Sequence, residues 1–372
     1  LRTTFRFQSG PERRISNNAA SRDSSGEVAS QETRALPATV NREIVLASRP
    51  DEIPSESDFR AVESPIPSPS EGEVLVRTMW LSLDPYMRGR IRDAPSYSPP
   101  VQIGEVMVGG IVGEVIESRT PAFQAGDIVN GSLGWREYAT SDGSDLRKVG
   151  RGLGPLSTAL GVLGMPGMTA YFGLLDVGQP EPGDTVVVSA ASGAVGQVVG
   201  QIARIMGCKV VGIAGTAQKV DYVINDLGFD YGINYKTEDV NSALSNLCPE
   251  GVDVYFDNVG GHITDAVMEH INTGARISVC GQISQYNLAE PEMAPRNMRL
   301  LITNQAKMEG FLVGKFAGNF EHARERMAGW IKSGTLRYRE DVVEGIENAP
   351  RAFIGMMSGE NFGKLLVKVS EE

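Results

Sequence analysis

The chain has 372 residues, 41% of them hydrophobic and 22% charged, with a formal net charge of -11 at pH 7. That size and balance fit a globular protein with two cores, and the acidity excludes the basic stripe of a nucleic-acid surface. No apolar run reaches membrane-span length, and Cys208, Cys248 and Cys280 lack the paired spacing of a disulfide framework, which together point to a cytoplasmic, reducing location.

Residues 1–37 are rich in Ser, Arg, Asn and Gln, lack apolar periodicity and read as a disordered leader. A tag remnant, an over-extended gene start and a flexible leader all fit. The Arg/Ser bias of a transit peptide is offset by Glu12, Asp23, Glu27 and Glu32. Short β segments follow at 42–46, 73–83, 106–118 and 127–140, separated by Gly and Pro turns. Residues 38–165 therefore predict an irregular β-barrel or sandwich. The stretch 106–117 is dense in glycine, as expected where a strand bends or receives another backbone closely.

Helix signals begin near Leu156 and continue through 168–175. Strands and helices then alternate: 185–190 with 196–206, 209–215 with 218–227, then strands at 232–235, 252–257, 276–279 and 310–313. This alternation predicts an α/β layer, a doubly wound parallel sheet over 166–320. An amphipathic helix at 320–332 and a β segment at 365–369 suggest that residues 321–372 return to the β domain.

The most informative stretch runs from Thr185 to Cys208, an apolar strand, a glycine-bearing turn and a helix. The turn is Ala191-Ser192-Gly193-Ala194-Val195-Gly196. A helix start has unpaired N–H groups and partial positive charge, and glycines let a pyrophosphate approach them. The three-glycine fingerprint is incomplete, because Ala191 stands at its first position, and a plain strand-to-helix turn looks similar. At the end of the next strand, Gly215 precedes Thr216, Ala217, Gln218 and Lys219, where an NAD site usually carries a carboxylate. This favours NADP(H), with Lys219 facing the 2′-phosphate. Alternatively, Lys219 is an exposed lysine at a helix start. His262, His270 and His322 show no metal-ligand spacing with each other or with the cysteines, so no metal is expected.

Five strings then carry a resemblance. They are Leu81-Ser82-Leu83-Asp84-Pro85-Tyr86-Met87-Arg88, Gly164-Met165-Pro166-Gly167-Met168-Thr169-Ala170-Tyr171, the turn from Ala190 to Gly196, VDVYFDNVGG from Val252 to Gly261, and Asn361-Phe362-Gly363-Lys364-Leu365. From about residue 38 onward the chain resembles the medium-chain dehydrogenase/reductase superfamily, specifically its zinc-free branch of NADP-dependent alkenal double-bond reductases. The resemblance implies a GroES-like catalytic β domain with an inserted Rossmann domain, NADP(H) in the cleft between them, and often a homodimer. It implies hydride transfer to the β-carbon of an α,β-unsaturated ketone or aldehyde, a small-molecule partner.

It also implies residue roles. Lys219 and Tyr235 match groups at the 2′-phosphate, and Asn258 a residue beside the nicotinamide. Phe311, Leu312 and Val313 resemble the segment whose backbone reads the carboxamide. Asn361 matches an asparagine near the pyrophosphate, and Met168 and Thr169 sit where a helix turns toward the cofactor. Tyr86 and Tyr286 match tyrosines lining the substrate cleft, with Tyr286 the proposed hydrogen-bond or proton donor. Plainer roles stay open: Tyr86 as a packed ring, Asp84 and Arg88 as turn anchors, Met165 and Met168 as core, Cys280 as a buried small residue. Two rival readings remain, a zinc-free quinone reductase and a non-catalytic NADPH-binding protein.

Overall fold

The computed structural model describes residues 40–150 and 152–372; the leader expected over 1–37 lies outside them. The first part supplies β1 (Val40–Leu46), β2 (Phe59–Pro65), β3 (Val74–Ser82), β4 (Ile111–Ser118), β5 (Ile128–Gly131), β6 (Tyr138–Ser141) and β7 (Arg147–Lys148). A single short helix, α1 (Met87–Arg90), leaves the end of β3. β1 and β2 form an antiparallel ribbon, while β3, β4, β5 and β7 lie side by side with β6 against β3.

The glycine density of β4 has a local cause. A Cβ on Gly113 would lie 2.5 Å from the Arg77 carbonyl oxygen of β3, so only glycine permits the pairing. The stretch expected as one strand over 127–140 is two, because Gly134 turns the chain between β5 and β6 with φ of 82°.

Helix α2 (Met165–Phe172) runs into a wider turn, Gly173–Gly178, and enters the second layer. That layer comprises β8 (Thr185–Ser189), α3 (Gly196–Ile205), β9 (Lys209–Ala214), α4 (Ala217–Asp221), β10 (Tyr231–Asn234), α5 (Val240–Leu247), β11 (Val252–Asp257), α6 (Gly261–Met268), β12 (Ile271–Val279), α7 (Arg299–Thr303) and β13 (Lys307–Gly310). Its six strands are parallel, in the order β10-β9-β8-β11-β12-β13. This is the doubly wound Rossmann order, and strand order reverses between β8 and β11. The crevice at their carboxyl ends is where such sheets bind nucleotides. All five residues of β8 are buried, which explains its unbroken apolar run.

Helix α8 (Phe320–Lys332) is followed by β14 (Glu340–Glu344), α9 (Ala349–Met357) and β15 (Lys364–Lys368). β15 lies between β14 and β3 and completes a seven-stranded sheet. Ala323 and Met327 of α8 are fully buried in one cluster with Phe172, Val186 and Val188, so α8 packs against the nucleotide layer. β13 ends earlier than expected, leaving Phe311, Leu312 and Val313 beyond its carboxyl end.

Candidate active site

The turn between β8 and α3 is built from backbone. Ala190 takes φ of 48°, the Gly193 N–H donates to the Ala190 carbonyl (2.9 Å), and the Ala191 N–H donates to the Ile213 carbonyl of β9 (3.0 Å). A Cβ on Gly196 would sit 2.3 Å from the Ala190 oxygen. No side chain caps α3, and Gly193, Ala194 and Val195 remain partly exposed. The helix start is thus an open, positively polarised cradle suited to a pyrophosphate.

Two residues expected at the cofactor have side chains that face the core. Ala191 and Met168 are fully buried. Ala191 packs the turn against β9 beside Gly212, and Met168 fills the core with Val186 and Phe256. Thr169 is also buried, its hydroxyl directed at the Met165 sulfur (3.6 Å), while Met165 is exposed.

At the end of β9 the Tyr235 ring lies over Gly215, where a Cβ would come 2.9 Å from the ring. Thr216 caps α4 by accepting the Lys219 N–H (3.2 Å). The Lys219 ammonium donates to the Gly359 carbonyl (2.7 Å), and its pKa is lowered by burial and by neighbouring Lys236. Lys236, which the sequence reading missed, stands one residue after Tyr235. The parallel pairing of β9 and β10 carries it to Lys219. Lys219 and Lys236 bring two positive charges to this end of the sheet, only partly offset at Lys219 by Asp341, which suits an anionic phosphate.

Across the crevice, the Asn258 N–H donates to the Ser189 hydroxyl (2.9 Å) and its amide nitrogen to the Ser189 carbonyl (2.8 Å). This joins the ends of β8 and β11 and leaves the amide oxygen as its free polar atom. Buried Asp257 accepts from the Val259 and Gly260 N–H groups and from the Tyr255 and Thr264 hydroxyls, so it builds this corner rather than facing the cleft. The Phe311 ring packs edge-on against Phe256, Leu312 is exposed, and Asn361 bonds the Gly363 carbonyl (3.0 Å). Burial pushes the Cys280 thiol at the end of β12 up to about 12, so it stays protonated.

A cleft of about 180 Å³ opens on the β side, lined by Tyr86, Tyr97, Tyr286, Arg90, Arg92 and Gln285 among others. Helix α1 organises it. Arg88 is fully buried, donating through Nε to Asn287 Oδ1 (3.0 Å) and through Nη2 to the Glu52 carbonyl (2.7 Å). Arg92 donates to the Leu288 carbonyl (2.5 Å). The element bearing Tyr86 therefore clamps the loop bearing Tyr286. The Tyr286 hydroxyl accepts the Gln282 N–H (3.2 Å), which leaves its own proton free to donate. Burial raises all three phenols, and Tyr97 adds to the shift at both Tyr86 and Tyr286. All three are neutral donors at physiological pH. Beneath them Asp84 pairs with Lys364 of β15 (2.7 Å), joining two of the five strings in one buried ion pair.

Residues 42–149 match the family described as the N-terminal domain of oxidoreductase, and residues 194–331 match the one described as zinc-binding dehydrogenase. The chain is 48% identical over 335 residues to the NADPH-dependent curcumin reductase of Escherichia coli (strain K12), covering 89% of this chain and 97% of that protein. It is 44% identical over 339 residues to the 2-alkenal reductase (NADP(+)-dependent) of Nicotiana tabacum, covering 89% and 98%. The crystal structure of CurA in complex with NADPH from Vibrio vulnificus superposes with a TM-score of 0.86 at 47% identity, covering 89% of this chain and all of that one (100%). The chain belongs to the NADP-dependent alkenal double-bond reductase branch of the medium-chain dehydrogenase/reductase superfamily. Among the described residues no three His, Cys, Asp or Glu side chains gather, and Cys208 and Cys248 are buried apart from the cleft.

Proposed function

We propose that the protein uses NADPH to reduce the carbon–carbon double bond of α,β-unsaturated ketones and aldehydes, with no metal in the reaction. It is an NADP-dependent oxidoreductase acting on C=C bonds, and NADP(H) is its cofactor. One observation carries the finer reading: three neutral phenols, Tyr86, Tyr97 and Tyr286, converge on one cleft that contains no carboxylate. When bound, the cofactor supplies a hydride to the β-carbon. Negative charge then develops on the substrate carbonyl oxygen, where a phenolic O–H stabilises it. Tyr286 suits this role, because its lone pair is already engaged by Gln282 and its proton is not. The open start of α3, Lys219 and Lys236 would hold the cofactor's phosphates, and the Asn258 amide oxygen would serve its nicotinamide end.

NADPH oxidation with a simple enone tests this directly. Turnover of quinones alone would favour a quinone reductase, and binding without any turnover a non-catalytic protein. The reading includes a homodimer, supported by the open sheet edge at β13 with Met298 and Ile302 exposed just before it; light scattering at a monomer mass would overturn that part. It also includes a cytoplasmic location, in keeping with three free cysteines. Among the described residues no helix is long and apolar enough to cross a membrane.

Two expectations follow for cofactor and metal. Lys219→Ala should raise the KM for NADPH by an amount equivalent to about 1–3 kcal/mol and barely alter NADH use. Equal use of NADH by the unmodified enzyme would remove the 2′-phosphate assignment. Prolonged chelation should leave the rate unchanged, and elemental analysis should find far less than stoichiometric zinc. A stoichiometric zinc whose removal stops turnover would refute metal independence.

A further inference from the structure

The substrate cleft carries charge of one sign only. Arg88, Arg90 and Arg92 line it, and among the described residues no Asp or Glu does. This runs against the chain as a whole, whose net charge is -11. Among the described residues none of the three arginines makes a salt bridge. Burial and the neighbouring Arg92 both disfavour the charge of Arg88. Of the nearby carboxylates, Asp84 is paired with Lys364 and Asp58 with Ser48 and Ser55, while Asp51 and Asp58 act on Arg88 without an ion pair.

The arginines differ in what they have left to offer. Arg88 is fully buried and holds loop carbonyls, with Nη1 unpartnered. Arg92 holds the Leu288 and Asp51 carbonyls. Arg90 is anchored through Nε alone, to the Pro99 carbonyl (2.7 Å), and among the described residues its two Nη groups have no protein acceptor. It lines the same cleft as Tyr86 and Tyr97, and its charge is felt by both, as is that of Asp84. A guanidinium fixed at one edge and free at its fork presents the geometry that grips a carboxylate with two parallel hydrogen bonds. The cofactor's phosphates do not need it, because the start of α3 and the Lys219–Lys236 pair lie at the ends of the parallel sheet.

We infer that Arg90, in the field of Arg88 and Arg92, binds a carboxylate on the substrate, so that the preferred substrates are enones with an acidic tail. This rests on the enone-reductase reading and narrows its substrate class.

The test compares a medium-chain enone ending in a carboxylate with its methyl ester. Both are assayed with NADPH, and the saturated ketones of both are titrated calorimetrically into the protein with NADP⁺ present. The acid should exceed the ester in kcat/KM by about 10- to 100-fold, mainly through KM, which is the range of one charge-assisted contact. The advantage should shrink as salt is raised. Arg90→Gln should bring the ratio close to parity, whereas Arg90→Lys should keep part of it. Equal kcat/KM for acid and ester in the unmodified enzyme overturns the inference, as does an Arg90→Gln effect confined to the KM for NADPH. If neither enone is reduced, the enzyme reading fails, and the titration still decides this one: tighter binding of the acidic ketone supports it, and equal binding refutes it.

Discussion

Tyr286→Phe should slow reduction of a small enone by roughly 10- to 1,000-fold, the range spanned by general-acid and oxyanion-donor effects. The substitution keeps the ring and removes one O–H, so the loss should fall on kcat and kcat/KM together, as for a contact made mainly in the transition state. NADPH affinity should not move, because the residues assigned to its phosphates lie elsewhere. Tyr86→Phe and Tyr97→Phe are matched controls in the same cleft. The loop fold should survive in all three: Arg88 and Arg92 clamp it through Asn287 and Leu288 without using the phenols. Burial raises the Tyr286 phenol, so its donor form persists as pH rises and is lost only above the ordinary phenol range. The rate should therefore show no alkaline limb from this group between neutrality and the ordinary tyrosine pKa. Full speed in Tyr286→Phe with a slow Tyr86→Phe or Tyr97→Phe would transfer the role. Full speed in all three would leave water or a cofactor hydroxyl as the proton route.

The second large effect concerns stability. Lys364→Met should destabilise the fold by about 3–5 kcal/mol, read from denaturant midpoints, because it strands a buried carboxylate. The two side chains of the pair are only 3% and 7% exposed, and the Lys364 ammonium also donates to the Leu83 carbonyl (2.7 Å). Without it, Asp84 keeps only the Ser82 hydroxyl. Asp84→Asn combined with Lys364→Met should recover much of the loss, since the uncompensated charge is then gone. A small effect in the single variant would show that water reaches the carboxylate and that the pair is not a keystone of this corner.

Much of the nucleotide layer was readable from residue order. The apolar run at β11 and the amphipathic period of α8 appear in the structure with their expected bounds, because each buries a regular face. β2 and β14 were not anticipated. Their residues are mostly exposed or half-buried, so neither carries the alternation that marks a strand. What covers the apolar face of α8 was not legible, because periodicity reveals such a face and not its partner. In the site, Tyr86 and Tyr286 were legible through their strings. Tyr97 was not, since it sits in an irregular loop and reaches the cleft only through tertiary folding. Arg88 gave no sign of full burial, because its partners are mostly backbone carbonyls distant in sequence. Met168 and Ala191 lie within strings read as cofactor-binding, and their own side chains face inward.

The position of β15 bears on how the protein is made. The nucleotide layer is one continuous stretch of chain, from α2 to α8, and can collapse as a unit while synthesis continues. The β sheet cannot. β3 is paired with β15, and the pairing joins residues as far apart as Ser82 and Leu366. Until the last strand leaves the ribosome, part of the β3 edge has no neighbour, and Asp84 has no counter-ion. The catalytic half is thus the late-folding half, limited by a contact of very high sequence separation. During that interval a nascent chain exposes an unpaired strand edge, the kind of surface that chaperones shield and that aggregation exploits.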